Sequence, residues 1–293
     1  MIAKKFVPYL IILPLAIFLI VTLYSSILIL IRYSVAIKPS YMQPISYVWS
    51  IKNYQDFLFD PGFEAYRMTL LKTLGVALLS TILCLIIGYP FAYFLASPRK
   101  PMPAKTLLTL LCLCPYLTGY VIRIYAWRII LGAQGVVNSL LQLTGLTKEP
   151  LSALIYGPGA VFIALIYLYV PILAFPIYVS LEKLDVNCIE AAEDLGADSV
   201  RTFLRVTLPL TSPGILVGAL LAFPVITASY LETVMLGGGS LRLMFGNVIQ
   251  SLYFVSNDFA MGSAAATILL VVVVVACISL VRLVKVDEVF RVR

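Results

Sequence analysis

The chain has 293 residues, 61% of them hydrophobic and only 12% charged. A soluble domain carries about 25% charged residues, so a wholly water-facing surface is excluded and lipid must solvate much of this chain. The formal charge of +7 does not call for nucleic acid, because the basic residues punctuate long apolar runs, as residues that orient a membrane protein do.

The first predicted element is a membrane helix. Lys4 and Lys5 precede an uncharged run, Phe6–Ile31. That run is longer than the roughly 7–15 residues of a secretory h-region and has no A-x-A site near its end, so it reads as a retained anchor. A spanning helix needs about 20 apolar residues. Further uncharged runs at Thr73–Ala96, Thr106–Ile122, Pro150–Leu181, Val206–Leu231 and Phe259–Val281 predict five more spans. The third is the shortest, and Arg123 can extend it by reaching for the interface. In the fourth, Gly157, Pro158 and Gly159 mark an opening turn, so the helix is expected to start there.

The fold class is therefore all-α, a polytopic protein of six transmembrane helices; barrel strands would instead alternate over ten-residue segments. The expected layout is a first helix over 1–32, a loop over 33–72, a core of five spans over 73–285 and a tail over 286–293. The N-terminus, loop 97–105, loop 182–205 and the residues after Val281 hold twelve Lys and Arg, against nine in the other three loops, which are nearly twice as long. That bias puts both termini in the cytoplasm. Pro90, Pro115, Pro171, Pro176, Pro213 and Pro224 lie in or beside spans. They suit helices that bend, although membrane helices tolerate proline generally.

The segment between the fourth and fifth spans, 182–209, differs from the rest. Asn187 is expected to cap a short helix, with Glu190 three residues on completing a capping box. Ala191 and Ala192 give that helix a face without bulk, and Gly196 allows a sharp turn. Asp198 is expected to cap a second helix through Val200, Phe203 and Leu204 to Pro209. On physics alone this is either a docking surface with a small-residue corner or an amphipathic connector lying on headgroups. Its six acidic residues fit anionic lipid poorly.

The residues Glu190-Ala191-Ala192, Gly196 and Val206-Thr207-Leu208-Pro209 resemble the EAA loop of binding-protein-dependent ABC importer permeases. That family's pattern is EAA, three residues, Gly, nine residues, Ile-x-Leu-Pro; only Val206 departs from it. Weaker likenesses reach across the chain and are similar to spermidine/putrescine-type permeases: Asn53-Tyr54 with Asp60-Pro61 and Thr73-Leu74, Gly88–Ala92, Arg123–Trp127 with Gly132, Gly135 and Asn138, and Leu236–Gly238 with Gly246-Asn247.

The resemblance implies the type I ABC importer permease fold in a bacterial inner membrane, with loop 33–72 in the periplasm. It implies a second homologous permease, so that the pore is a heterodimer, and two cytoplasmic ATPase subunits that hold ATP and Mg. It also implies a periplasmic or lipid-anchored solute-binding protein. Glu190, Ala191, Ala192, Asp194, Leu195, Gly196, Ala197, Leu208 and Pro209 would form the ATPase-coupling loop. This chain has no G-x-x-x-x-G-K-[ST], so no cofactor is expected on it, and Gly237–Gly239 reads as a flexible loop.

A polyamine path should offer carboxylates and aromatic faces. Glu232 is the carboxylate at the end of the fifth span, beside Tyr230, and Tyr125 and Trp127 add aromatic surface, as do Tyr167 and Tyr169. The same aromatics would also suit an interfacial belt. Arg123 and Arg128 oppose a cation path if they face the pore. Opines, amino-acid derivatives and phosphonates are the alternative solutes. A secondary transporter is disfavoured by uncharged span centres. The absence of histidine removes Ser-His and Cys-His catalysis. Four of the five cysteines, Cys84, Cys112, Cys114 and Cys277, lie in apolar runs as small hydrophobes, Cys188 being the exception; no metal site is expected.

Overall fold

The computed structural model describes residues 3–37, 49–96, 106, 114–237 and 244–283. Most of the third predicted span, the basic loop 97–105, Gly238–Gly239 and the tail lie outside the described residues. The described elements are helices: α1 Ala3–Ser34, α2 Lys52–Phe59, α3 Glu64–Ala96, α4 Tyr120–Leu131, α5 Val136–Leu143 and α6 Pro158–Glu182. Then come α7 Val186–Asp194, α8 Ser199–Thr202, α9 Leu208–Leu210, α10 Ser212–Ala228, α11 Leu231–Leu236, α12 Phe245–Phe254 and α13 Phe259–Leu283. Among the described residues there is no β-strand.

Five stretches are long and apolar enough to cross a membrane: Leu13–Ser34, Pro61–Ala96, Tyr120–Leu143, Pro158–Glu182 and Phe259–Arg282. The pair Ser199–Leu210 and Ser212–Ala228, bent by 61°, makes a sixth if counted as one span. One detail departs from the sequence reading: the predicted fifth span is kinked at Thr211 and ends at Ala228. The third stretch runs past Arg123, as the sequence reading allowed; that guanidinium lies 4.5 Å from the centroid of the Tyr116 ring and so need not mark a boundary.

The chain divides into two compact units. The smaller contains Met1–Arg67 and Val248–Val272. In it, Asn53 donates from Nδ2 to the carbonyls of Ser34 and Ala36 at 2.9 and 2.8 Å, and Tyr54 donates to Ser34 Oγ at 2.6 Å. These bonds tie α2 back to the end of α1. No side chain in the most apolar window of α1 is buried, and a helix apolar on every face requires lipid or a partner around it.

The larger unit, Met68–Asn247 with Val273–Arg293, is built around α6. Gly157 precedes Pro158, whose missing N–H costs nothing at the first helical position, so the helix begins where the glycine-proline turn predicts. Its 25 residues span about 37 Å at 1.5 Å each. Ala164, Leu165, Leu168, Leu173 and Ile177 of α6 pack with Ala77, Cys84 and Ala92 of α3, Ile124 of α4, and Ala222, Phe223 and Ile226 of α10. The approach of α10 to α6 rests on two glycines one turn apart. A Cβ on Gly214 would stand 2.8 Å from Pro176 O, and one on Gly218 2.6 Å from Leu173 O. Lipid cannot drive two apolar helices together by the hydrophobic effect, so such close backbone packing supplies the attraction.

Candidate functional site: a surface loop and an aromatic cavity

The 182–209 segment folds as two short helices joined at a corner. The cap of α7 is Asp185, whose Oδ1 accepts from Asn187 N at 3.0 Å. The expected Asn187–Glu190 capping box does not form, since Asn187 is already inside the helix. Gly196 adopts φ +83°. Its N–H donates to Glu193 O at 2.9 Å, and Ala197 N–H donates to Ala192 O at 3.0 Å, a Schellman closure that needs a left-handed residue. Asp198 caps α8 as expected, accepting from Arg201 N at 2.7 Å.

The corner faces outward. Glu190, Ala191, Asp194, Leu195, Gly196 and Pro209 are exposed, Ala192, Ala197 and Leu208 half-buried. Leu195 is 89% exposed, an apolar side chain offered at the tip. From Phe203 to Thr207 the helix widens into a π-helical turn before α9. Leu208 packs against the core of the larger unit, so the second half of the loop is anchored while the first half projects.

On the same unit, α4, α6 and α10 enclose a cavity of about 320 Å³ lined by Tyr116, Tyr120, Arg123, Tyr169, Ser229 and Tyr230, with Leu168, Ile172, Val225 and Ala228 completing an apolar wall. Ser229 breaks the helix between α10 and α11 with an extended backbone, ψ 137°, which turns Glu232 inward. Glu232 is fully buried. Tyr120 donates to its Oε1 at 2.6 Å and Ser229 Oγ to the same atom at 3.5 Å, while its Oε2 has no hydrogen-bond partner among the described residues. Ser229 also meets the Tyr169 hydroxyl at 3.3 Å. The Tyr116 hydroxyl donates to Leu168 O.

The position of Glu232 is held from both sides. Thr233 donates to Asn247 Oδ1 at 2.5 Å, and Asn247 donates to Tyr230 O at 3.3 Å. Thr73 of α3 accepts from Phe245 N at 2.7 Å. A Cβ on Gly246 would lie 3.0 Å from Ser229 O, so the chain passes close behind the break. Of the four path residues expected from sequence, Tyr230 lines the cavity and Glu232 lies behind its Tyr120–Ser229 wall. Tyr125 is 46% exposed, and Trp127 packs edge-on to Tyr167, ring centres 5.4 Å apart; neither reaches the cavity. Tyr116, Tyr120 and Ser229 were missed. For the two tyrosines the one signal is the spacing 116, 120, 123, polar-tipped residues at helical intervals in an apolar run; Ser229 carried none.

Chemically, the cavity offers tyrosine faces and hydroxyls and an arginine, with a buried carboxyl behind its Tyr120–Ser229 wall that has no ion pair among the described residues. Aromatic faces attract organic cations, and an ionised carboxyl buried without a partner is costly until a cation or donor reaches it.

No family model matches the chain. It is similar to the spermidine/putrescine transport system permease protein PotB of Escherichia coli, 38% identical over 229 residues, which covers 78% of this chain and 80% of that protein. The PotB protein of Haemophilus influenzae is likewise 38% identical, over 74% of this chain and 73% of its own. Among solved structures, a chain of a bacterial alginate ABC transporter, in complex with an alginate pentasaccharide-bound periplasmic protein, matches with TM-score 0.76 at 17% identity, over 97% of this chain and 96% of that one.

Proposed function

The chain belongs to the family of binding-protein-dependent ABC importer permeases that includes the PotB proteins, and from that premise we propose that its solute is a small organic cation of the polyamine class. It is a membrane-spanning permease subunit of an ATP-driven importer, and it is not the subunit that hydrolyses ATP. In the assembly we propose, it pairs with a second related permease above two cytoplasmic ATPase subunits that hold ATP and Mg, and a periplasmic or lipid-anchored protein delivers the solute. Both termini face the cytoplasm of a bacterial inner membrane.

One observation carries the substrate class: a fully buried carboxyl, Glu232, with one oxygen unpartnered, behind a wall of tyrosines. An ammonium group entering the cavity would find ring faces at Tyr116, Tyr169 and Tyr230, and it could reach Glu232 by displacing the Tyr120 or Ser229 hydroxyl. The coupling loop would dock its exposed corner on an ATPase subunit, so that closure of the ATPase pair rocks the permeases between inward-open and outward-open states.

A second reading rests on Arg123, which lines the same cavity and would pair with a carboxylate or phosphonate. Both readings are tested by ATP-driven uptake into proteoliposomes containing the whole assembly. For a polyamine, labelled spermidine uptake is expected to fall at least tenfold in Glu232→Gln at equal protein level, and Arg123→Gln is expected to spare it. Unchanged uptake in Glu232→Gln rejects the carboxyl's role. Uptake of an amino-acid derivative in place of spermidine, abolished by Arg123→Gln, establishes the second reading.

A further inference from the structure

Between the projecting loop and the transmembrane core lies an aromatic joint that neither the loop pattern nor the cavity accounts for. Phe203 opens the π-helical turn Phe203–Thr207. Its ring meets two rings of α3 edge-on: Tyr89 at 5.5 Å and 82°, and Tyr93 at 6.0 Å and 90°. Edge-to-face geometry at these distances is the favoured arrangement for aromatic pairs, and rings four residues apart on a helix form one face. Phe203 is thus gripped by α3 at two successive turns. Eight residues on, at the 61° bend between α9 and α10, the fully buried Thr211 meets the Tyr89 hydroxyl at 2.9 Å through its Oγ1. Tyr89 therefore contacts the loop's second helix with its ring and the start of α10 with its hydroxyl.

The same short stretch of α3 is built to yield at one point and to stay in register at another. Pro90 follows Tyr89 and cannot donate to Ile86 O, which leaves the helix a weak point. Gly88 precedes Tyr89, and a Cβ there would stand 3.3 Å from Leu173 Cδ2 and 3.5 Å from Ala174 Cβ, so α3 and α6 are in close contact just before the weak point. The π-helical turn carries one more residue than an α turn, a departure that recurs at functional positions.

We propose that Phe203, held by Tyr89 and Tyr93, is the positioning residue through which movement of the 182–209 loop enters the transmembrane helices. A displacement of the exposed Gly196 corner is passed along α8 to Phe203, which pulls α3 at Tyr89 and Tyr93 and turns it about Pro90. The Tyr89–Thr211 bond makes α10 follow in step. Without the joint, the loop would move the core through its main-chain junctions with α6 and α10 and through the packing of Leu208. This rests on the loop's proposed role in coupling to the ATPase.

The test uses the full assembly in proteoliposomes, with three readouts: co-purification of the ATPase subunits, basal ATP hydrolysis, and solute imported per ATP. Phe203→Ala and the bulk-conserving Phe203→Leu are expected to keep assembly and basal hydrolysis within about twofold of the parent, and to lower import per ATP at least tenfold. Phe203→Tyr is expected to restore most of it, and Tyr89→Phe, which keeps the ring and loses the Thr211 bond, to fall between. Import per ATP unchanged in both Phe203→Ala and Phe203→Leu overturns the joint, and so does a loss of import that only tracks loss of assembled complex. Gly196→Asp, run alongside, separates the two ideas. If it also imports normally, the coupling role of the loop fails; if it blocks import while the Phe203 variants do not, the joint alone fails.

Discussion

Buried polar residues in this chain divide into those whose hydrogen bonds close on themselves and those that are left open. Asn138 is fully buried; its Nδ2 donates to Gly132 O at 2.9 Å and its Oδ1 accepts from Leu151 N at 2.9 Å. Beside it, a Cβ on Gly135 would fall 2.3 Å from the carbonyl oxygens of Ile129 and Ile130. This corner between α4 and α5 is a structural fastening. Asn138→Ala removes the bonds to Gly132 O and Leu151 N, together expected to cost about 1–3 kcal/mol, read as a fall in thermal midpoint of the detergent-solubilised assembly with import per folded complex unchanged. Glu232 is the opposite case. One of its oxygens has no partner among the described residues, and in the proposed function that oxygen is what a solute would satisfy, so its substitution belongs to a transport assay and that of Asn138 to a melting curve. Glu232 was legible from sequence as the carboxylate ending a span. Its partner Tyr120 was not, because 112 residues separate them and only folding brings their helices together.

Elements were legible to the extent that their causes are local. The start of α6 follows from Gly157 and Pro158, and the Gly196 corner from a glycine placed where a helix must reverse. The cap of α7 was misplaced by two residues because Asp185 and Asn187 are both good cap formers, and the choice turned on where Leu181–Leu184 let the preceding helix end. Contact faces were not legible: Gly214 and Gly218 are two of 17 glycines, and only the packed pair reveals that both lie on α6. Gly218→Leu would drive a side chain into Leu173 O, 2.6 Å from the Cβ position. It is expected to prevent α10 from seating and to reduce the yield of folded protein in membranes at least tenfold. Gly75→Ala, where a Cβ meets nothing within 4 Å, should leave yield unchanged.

At the scale of the whole molecule, the exposed apolar surface of the chain exceeds what water tolerates, so lipid must cover much of it and the proposed partner subunits the rest. α1 has no buried side chain in its most apolar window, and Leu195, Val200 and Leu204 leave the 182–209 loop 89%, 66% and 53% exposed. The expected outcome of a mild-detergent purification of the tagged chain is co-elution of an ATPase carrying a P-loop and of a second permease with an EAA loop. Gly196→Asp, which forces a residue with a Cβ into φ +83° at a cost of about 1–2 kcal/mol, should release the ATPase and retain the permease. Recovery of the chain alone across several gentle detergents would count against the assembly.

The sequence by itself determined the membrane setting, the all-helical class and the Glu190–Pro209 motif. Each depends on short-range features: uncharged runs long enough to cross a bilayer, and a motif contained within twenty residues of chain. Tertiary structure decided which residues share the cavity, that Arg123 faces it while Tyr125 and Trp127 do not, that the fifth span bends at Thr211, and that Phe203 is held by α3. These depend on the rotation of each helix about its axis. In a span apolar on every side, no amphipathic stripe fixes that rotation; close backbone contacts such as Gly218 against Leu173 do.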